Sequence, residues 1–120
     1  VAVDLSGQVN SEVAGGRYVG AVGGQVDFVR GGRLSEKGRS IIAVASMTPD
    51  GKHSKIVASL AGQPITTARS DVDIIVTEYG AAHLWGKDFH ARAEALIGIA
   101  HPSVRESLAQ QFDESLSNKQ

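Results

Sequence analysis

The sequence predicts an α/β domain, on three observations. Unbroken apolar runs of strand length lie within residues 40–45 and 72–77, and the first has the pattern of a strand covered on both faces. Two stretches near the end of the chain repeat apolar residues at helical spacing. A glycine-rich segment separates an opening strand from a short helix, with nine of the 14 glycines before residue 40. Strands first and helices last make a layered architecture of sheet and helix.

The elements follow in order. Val1-Ala2-Val3-Asp4-Leu5 reads as a strand that stops at the turn signal Ser6-Gly7. Residues 7–25 are short of large apolar side chains and lead into a short helix over Val26-Asp27-Phe28-Val29-Arg30, which Gly31-Gly32 ends. Ser40-Ile41-Ile42-Ala43-Val44-Ala45 is the doubly covered strand. Pro49-Asp50-Gly51 is a turn, because proline presets φ and glycine accepts φ > 0. Residues 55–58 are then expected to return as the second strand of a hairpin. Ile65-Thr66-Thr67 reads as a short strand and residues 72–77 as a stronger one. Asp88 is an N-cap, and Phe89, Ala93, Leu96, Ile97 and Ala100 share one helical face. His101-Pro102 breaks that helix. Ser103 and Glu106 fit a capping box, and Val104, Leu108, Phe112 and Leu116 stripe a last helix before a polar, frayed tail over 117–120.

Composition narrows the function. The chain has 120 residues, 42% of them hydrophobic and 21% charged, with a net charge of -1. That is an ordinary globular composition, which excludes disorder and a collagen repeat. No apolar run reaches the length of a membrane span. Near-zero charge argues against a nucleic-acid binder driven by phosphate neutralisation. With no cysteine, disulfides, thiolate metal sites and cysteine nucleophiles are excluded. The four histidines show no zinc spacing, so no metal is expected. Val1 opens inside a strand with no leader before it, so a fragment of a longer, cytoplasmic polypeptide is expected.

Two places carry candidate chemistry. Val22-Gly23-Gly24-Gln25 puts adjacent glycines before a helix, where no Cβ blocks a ligand and free amides can hold a phosphate or a thioester oxyanion. The same pattern also serves as a structural turn, and spacing alone does not choose. Glu78 ends the second apolar run, and ligands of open α/β sheets gather at the carboxyl ends of strands. A solvated strand-end acid or a helix-capping partner is the alternative. Asp71 and Asp73 are expected on one side of a strand, facing water. Arg30 and Arg69 are candidates for a phosphate or carboxylate, with surface ion pairs as the commoner use. Tyr79 and Trp85 read as core anchors.

Taken in order, several stretches resemble a known family: Asp4-Leu5-Ser6-Gly7-Gln8-Val9-Asn10-Ser11-Glu12; Val22 to Gly31; Gly38-Arg39-Ser40-Ile41-Ile42-Ala43; Thr66 to Asp73; Val76-Thr77-Glu78-Tyr79-Gly80; and Ile99-Ala100-His101-Pro102. Together they resemble the C-terminal domain of the acetyl-CoA hydrolase / 4-hydroxybutyrate CoA-transferase family. The resemblance implies a CoA-transferase-type open sheet flanked by helices, with residues 1–120 forming most of the second of two domains. It implies an enzyme that moves CoA between an acyl-CoA and a small carboxylate through a glutamyl-CoA thioester, or that lets water intercept the intermediate. The first domain is implied as the missing partner, coenzyme A as substrate, and a homo-oligomer as the assembly.

By the same resemblance, Gly24 beside Gly23 matches the glycine whose N–H holds the thioester oxyanion. Glu78 matches a glutamate lining the acyl pocket, and Val22 and Gln25 border the pantetheine arm. The nucleophilic glutamate of the family lies upstream of the stretch matching Asp4 to Glu12, and Glu12 does not take that role. Departures from the family pattern occur at Gly20-Ala21, Gly32 and Ala45-Ser46-Met47-Thr48. A module that only binds CoA or another phosphorylated ligand is the reading from a different class.

Overall fold

A computed structural model describes residues 1–118. Lys119 and Gln120, half of the tail expected to fray, lie outside the described residues. The described residues form a small mixed α/β domain with three helices. Among the described residues its strands form two three-stranded sheets and a two-stranded hairpin.

The first sheet joins β1 (Ala2–Asp4), β2 (Val9–Asn10) and β6 (Ile56–Val57) in the order β2-β1-β6. Asp4 locks the turn between its first two strands. Its buried carboxylate accepts from Ser6 N (3.0 Å), Ser6 Oγ (2.6 Å), Gln8 N (3.1 Å), Gln8 Nε2 (2.7 Å) and Leu60 N (3.4 Å). A buried carboxylate is tolerated here because every bond it accepts offsets its lost hydration. The expected hairpin after Pro49-Asp50-Gly51 does not form a ladder. Only Met47 and Ser54 bridge, and β6 pairs in parallel with β1. Ile56 is fully buried, so the core claims this strand for the first sheet.

The second sheet has the order β5-β7-β8, from β5 (Ile41–Ala43), β7 (Ile74–Thr77) and β8 (Gly80–His83). β5 and β7 are parallel, with Ile41 opposite Ile74 and Ala43 opposite Val76. β7 turns directly into β8 around Glu78 and Tyr79. β8 is missed by sequence reading because Gly80-Ala81-Ala82-His83 carries little strand propensity. β5 is not buried on both faces: Ile41, Ala43 and Ala45 are exposed and alternate with half-buried Ile42 and Val44. Thr67 makes only a single bridge, to Val9, where a short strand was expected.

The glycine-rich segment holds a hairpin of β3 (Val13–Ala14) and β4 (Arg17–Tyr18), turned by Gly15 and Gly16 at φ +58° and +77°. Left-handed backbone of this kind favours glycine. Helix α1 (Gln25–Leu34) runs through Gly31 and Gly32 instead of ending there. A Cβ on Gly32 would lie 3.1 Å from the Arg39 carbonyl oxygen and 3.2 Å from Ser40 Cα, so this glycine lets the helix press on the entry to β5.

Helix α2 (Phe89–Ile99) begins at Asp88, whose side chain accepts from Ala91 N at 2.9 Å. Ala93, Leu96 and Ile99 are its buried face, followed by buried Ala100; Phe89 is half exposed. The cap of α3 (Pro102–Ser117) corrects the capping-box expectation. His101 is the N-cap, its Nδ1 accepting from Ser103 N at 3.1 Å, with proline at the first helical position. Leu108 is buried, while Val104 and Phe112 pack half-buried against the core. That core gathers Val3, Val9, Ile56, Val72, Ile75, Leu84 and Leu96 between the two sheets and the last two helices.

Candidate active site

Glu78 occupies the first position of the two-residue turn that joins β7 to β8. Thr77 fixes that turn from inside: its Oγ1 donates to the Ile99 carbonyl at 2.5 Å and accepts from Tyr79 N at 3.1 Å. The Glu78 carboxylate is exposed and accepts from the backbone N–H of Ser46 at 2.8 Å. That bond, joined by the Glu78 amide and the nearby His101, holds its carboxyl below the ordinary glutamate value. Glu78 is therefore a carboxylate at neutral pH.

Gly24 is the N-cap of α1, at φ -100°, and no side chain caps the helix. Its neighbour Gly23, at φ +57°, needs to be glycine for its backbone. Gly24 does not. A Cβ there would meet only the Phe28 ring at 3.8 and 3.9 Å, which is ordinary contact. Within this domain neither backbone nor packing requires the missing side chain. What the glycine leaves is open access to uncapped amides at the positive end of a helix.

Two sets of contacts lie between this helix end and Glu78. The first is the run of α1 along β5. Its last turn meets Arg39 and Ser40 at the start of the strand, and Gln25 lines the same groove as Ile42. The helix therefore runs antiparallel to β5, with Gln25 further along the strand than Gly32. The second is a chain of hydrogen bonds. Lys55 N donates to Ser46 O (2.7 Å), Val3 N donates to Lys55 O (2.8 Å), and Ala2 faces Asn10 across the β1–β2 ladder. Beyond Asn10, Ser11 Oγ donates to Gln25 Oε1 at 2.5 Å. Gly24 and Glu78 are linked through these residues rather than to each other.

The remaining residues singled out from sequence divide. Gln25 Nε2 is buried with no partner among the described residues, a donor left over at the loop mouth. Val22, three residues before it, is half exposed. Arg30 and Asp71 form an ion pair at 3.1 Å. Asp71 and Asp73 precede β7 instead of sharing a strand face, and Asp71 is paired with arginine instead of solvated alone. The Arg69 guanidinium lies 5.3 Å over the Phe89 ring. Tyr79 and Trp85 are exposed, not core anchors; Trp85 stacks under the Arg33 guanidinium at 3.3 Å and Tyr79 meets the His101 ring edge-on at 5.6 Å. Among the described residues, no three histidine, aspartate or glutamate side chains cluster in a way that could hold a metal ion. No described helix is long and apolar enough to cross a membrane.

Residues that sequence reading missed are Ser46, whose amide orients Glu78, and Ser11, which orients Gln25. Nothing local marks either, since both act on partners distant in sequence.

Residues 1–112 match the model of the acetyl-CoA hydrolase/transferase C-terminal domain. The chain belongs to that family. It is 54% identical over 113 residues to the 4-hydroxybutyrate coenzyme A transferase of Clostridium kluyveri, covering 93% of this chain and 26% of that protein. It is 31% identical to the acetyl-CoA hydrolase of Candida albicans, covering 97% of this chain and 22% of that protein. Among solved structures, RipA from Yersinia pestis is similar with a TM-score of 0.87 at 44% identity, over 95% of this chain and 26% of that one. The chain thus spans about a quarter of the length of the relatives it matches.

Proposed function

We propose that residues 1–120 are the C-terminal part of a CoA-transferase that moves CoA between an acyl-CoA and a small carboxylate. The observation that supports this reading is the uncapped helix end at Gly24, a glycine that nothing inside the domain requires, together with an ionised Glu78 in the turn after β7. In this reading the amides beside Gly24 stabilise the oxyanion that develops when a thioester carbonyl is attacked. Glu78 lines the acyl and carboxylate pocket. Val22, Gly23 and Gln25 border the pantetheine arm.

The attacking glutamate comes from polypeptide outside residues 1–120. Its carboxylate displaces CoA thiolate from the acyl-CoA, giving an acyl-glutamyl anhydride. The thiolate then attacks the glutamyl carbonyl and releases the acyl group as a carboxylate. A second carboxylate reverses both steps and leaves with CoA. Splitting one hard transfer into such stages is the benefit of covalent catalysis. Transfer is favoured over hydrolysis by the 54% identity to a transferase against 31% to a hydrolase.

The first domain is the partner this reading requires. Phe28 and Leu34 on α1 are 84% and 88% exposed, and Ile41 on β5 and Tyr18 on β4 are exposed with them. Exposed apolar side chains of this size suit burial against another domain. The same reading expects a homo-oligomer working in the cytoplasm. The test is exchange of label between acetate and an acyl-CoA by the full-length protein, with residues 1–120 alone as the control. Turnover by the whole and none by the piece is expected; turnover by the piece, or by neither, rejects the proposal.

A further inference from the structure

Helix α1 is poorly secured by its own sequence. It contains Gly31 and Gly32, each costing about 1 kcal/mol relative to alanine in a helix interior. It has no side-chain N-cap and buries a single residue, Val29. A helix this short is marginal unless tertiary contacts hold it. Among the contacts that do so, both of its arginines reach one carboxylate.

Asp71, whose side chain is 18% exposed, receives Arg30 in a two-pronged geometry, Nε to Oδ1 at 3.3 Å and Nη2 to Oδ2 at 3.1 Å. Arg33, one turn further on, brings Nη1 to 4.0 Å from the same carboxylate and donates to the Ser70 carbonyl at 3.3 Å. The Arg33 guanidinium is stacked on Trp85, just beyond β8. The Asp71 amide in turn donates to the Ala68 carbonyl at 3.0 Å, which sets the turn leading into β7. Both arginines of the helix are thus tied to the segment that enters the strand carrying Glu78 at its far end.

Resting on the proposed transfer reaction, we propose that Asp71 is a positioning residue: by holding Arg30 and Arg33 it fixes α1 against β7 and so sets the Gly24 amides relative to Glu78. The reacting atoms are not touched by Asp71. Its effect is geometric, and small displacements of oriented groups reduce rate far more than they reduce binding.

The test uses the full-length protein with Asp71→Asn, which keeps shape and removes charge, and Asp71→Glu, which keeps charge. Asp71→Asn is expected to lower kcat about tenfold with KM for acyl-CoA within about twofold. Amides of α1 should exchange with deuterium roughly fivefold faster, the scale of one well-formed ion pair. Exchange elsewhere should be unchanged, and Asp71→Glu should recover most of kcat. Unchanged kcat in Asp71→Asn overturns the proposal, as does a loss of kcat that tracks faster exchange throughout the protein. A wild type without turnover defeats the transferase reading instead. The exchange of α1 then still decides the tether, which unaltered α1 protection in Asp71→Asn would overturn.

Discussion

The backbone N–H of Ser46 donates to the Glu78 carboxylate at 2.8 Å, tying the segment after β5 to the turn after β7. Both positions follow parallel, adjacent strands, so the bond closes the carboxyl end of the sheet and aims Glu78. An acid held this way acts as a fixed negative charge and hydrogen-bond acceptor.

Glu78 should therefore titrate below the ordinary glutamate value of about 4.3. The sign follows from linkage. A carboxyl whose folded value is depressed adds stability that is present above its unfolded value and is lost as pH falls through the folded one. Carboxyl-carbon NMR titration of residues 1–120 checks this, and a midpoint at or above 4.3 would contradict the Ser46 bond.

Gly24→Val tests the open helix end. In the full-length protein kcat is expected to fall about a hundredfold, since the added side chain occupies the approach to the amides. The melting temperature of the variant should remain near that of wild type, because φ at Gly24 suits any residue and a Cβ meets only ordinary contact. Full turnover would remove Gly24 from the site.

Two other glycines predict opposite signs. A Cβ on Gly38 would lie 2.5 Å from the Gly32 carbonyl oxygen and 2.6 Å from Ser35 Cβ, so Gly38→Ala should destabilise by about 2 kcal/mol. Gly31 lies in α1 with open space around it, so Gly31→Ala should stabilise by about 0.5–1 kcal/mol. Urea unfolding of both variants measures the pair. Equal effects would contradict the geometry of the α1–β5 connection.

The uncovered apolar face predicts that purified residues 1–120 self-associate. Phe28→Ser with Leu34→Ser removes the two most exposed apolar side chains and should shift sedimentation towards the monomer. An unchanged distribution would mean that this face is not sticky.

What was legible in the sequence depends on how local the deciding physics is. The Asp88 cap and the middle of the apolar stripes of α2 and α3 rest on contacts a few residues apart and are recovered, while Phe89 and Leu116 at the stripe ends are exposed. The run at residues 40–45 reads as doubly buried, yet half of β5 faces outward, because hydrophobicity marks a surface wanting cover without saying what covers it. The parallel pairing of β6 with β1 joins residues some fifty positions apart, and the turn at Pro49-Asp50-Gly51 points to a nearer partner that pairs only through the Met47–Ser54 bridge. At the candidate site, Gly24 and Glu78 stand out by residue type and strand position. The residues that orient them, Ser46 and Asp71, act across long sequence separations and leave no local sign.

The most direct measurement is to incubate the full-length protein with acyl-CoA, treat it with hydroxylamine or borohydride, and locate the modified residue by mass spectrometry. The account predicts a single modified glutamate outside residues 1–120, carried by the polypeptide that completes the cleft. Modification of Glu78 or Glu12, or no trapped species despite turnover, would contradict it.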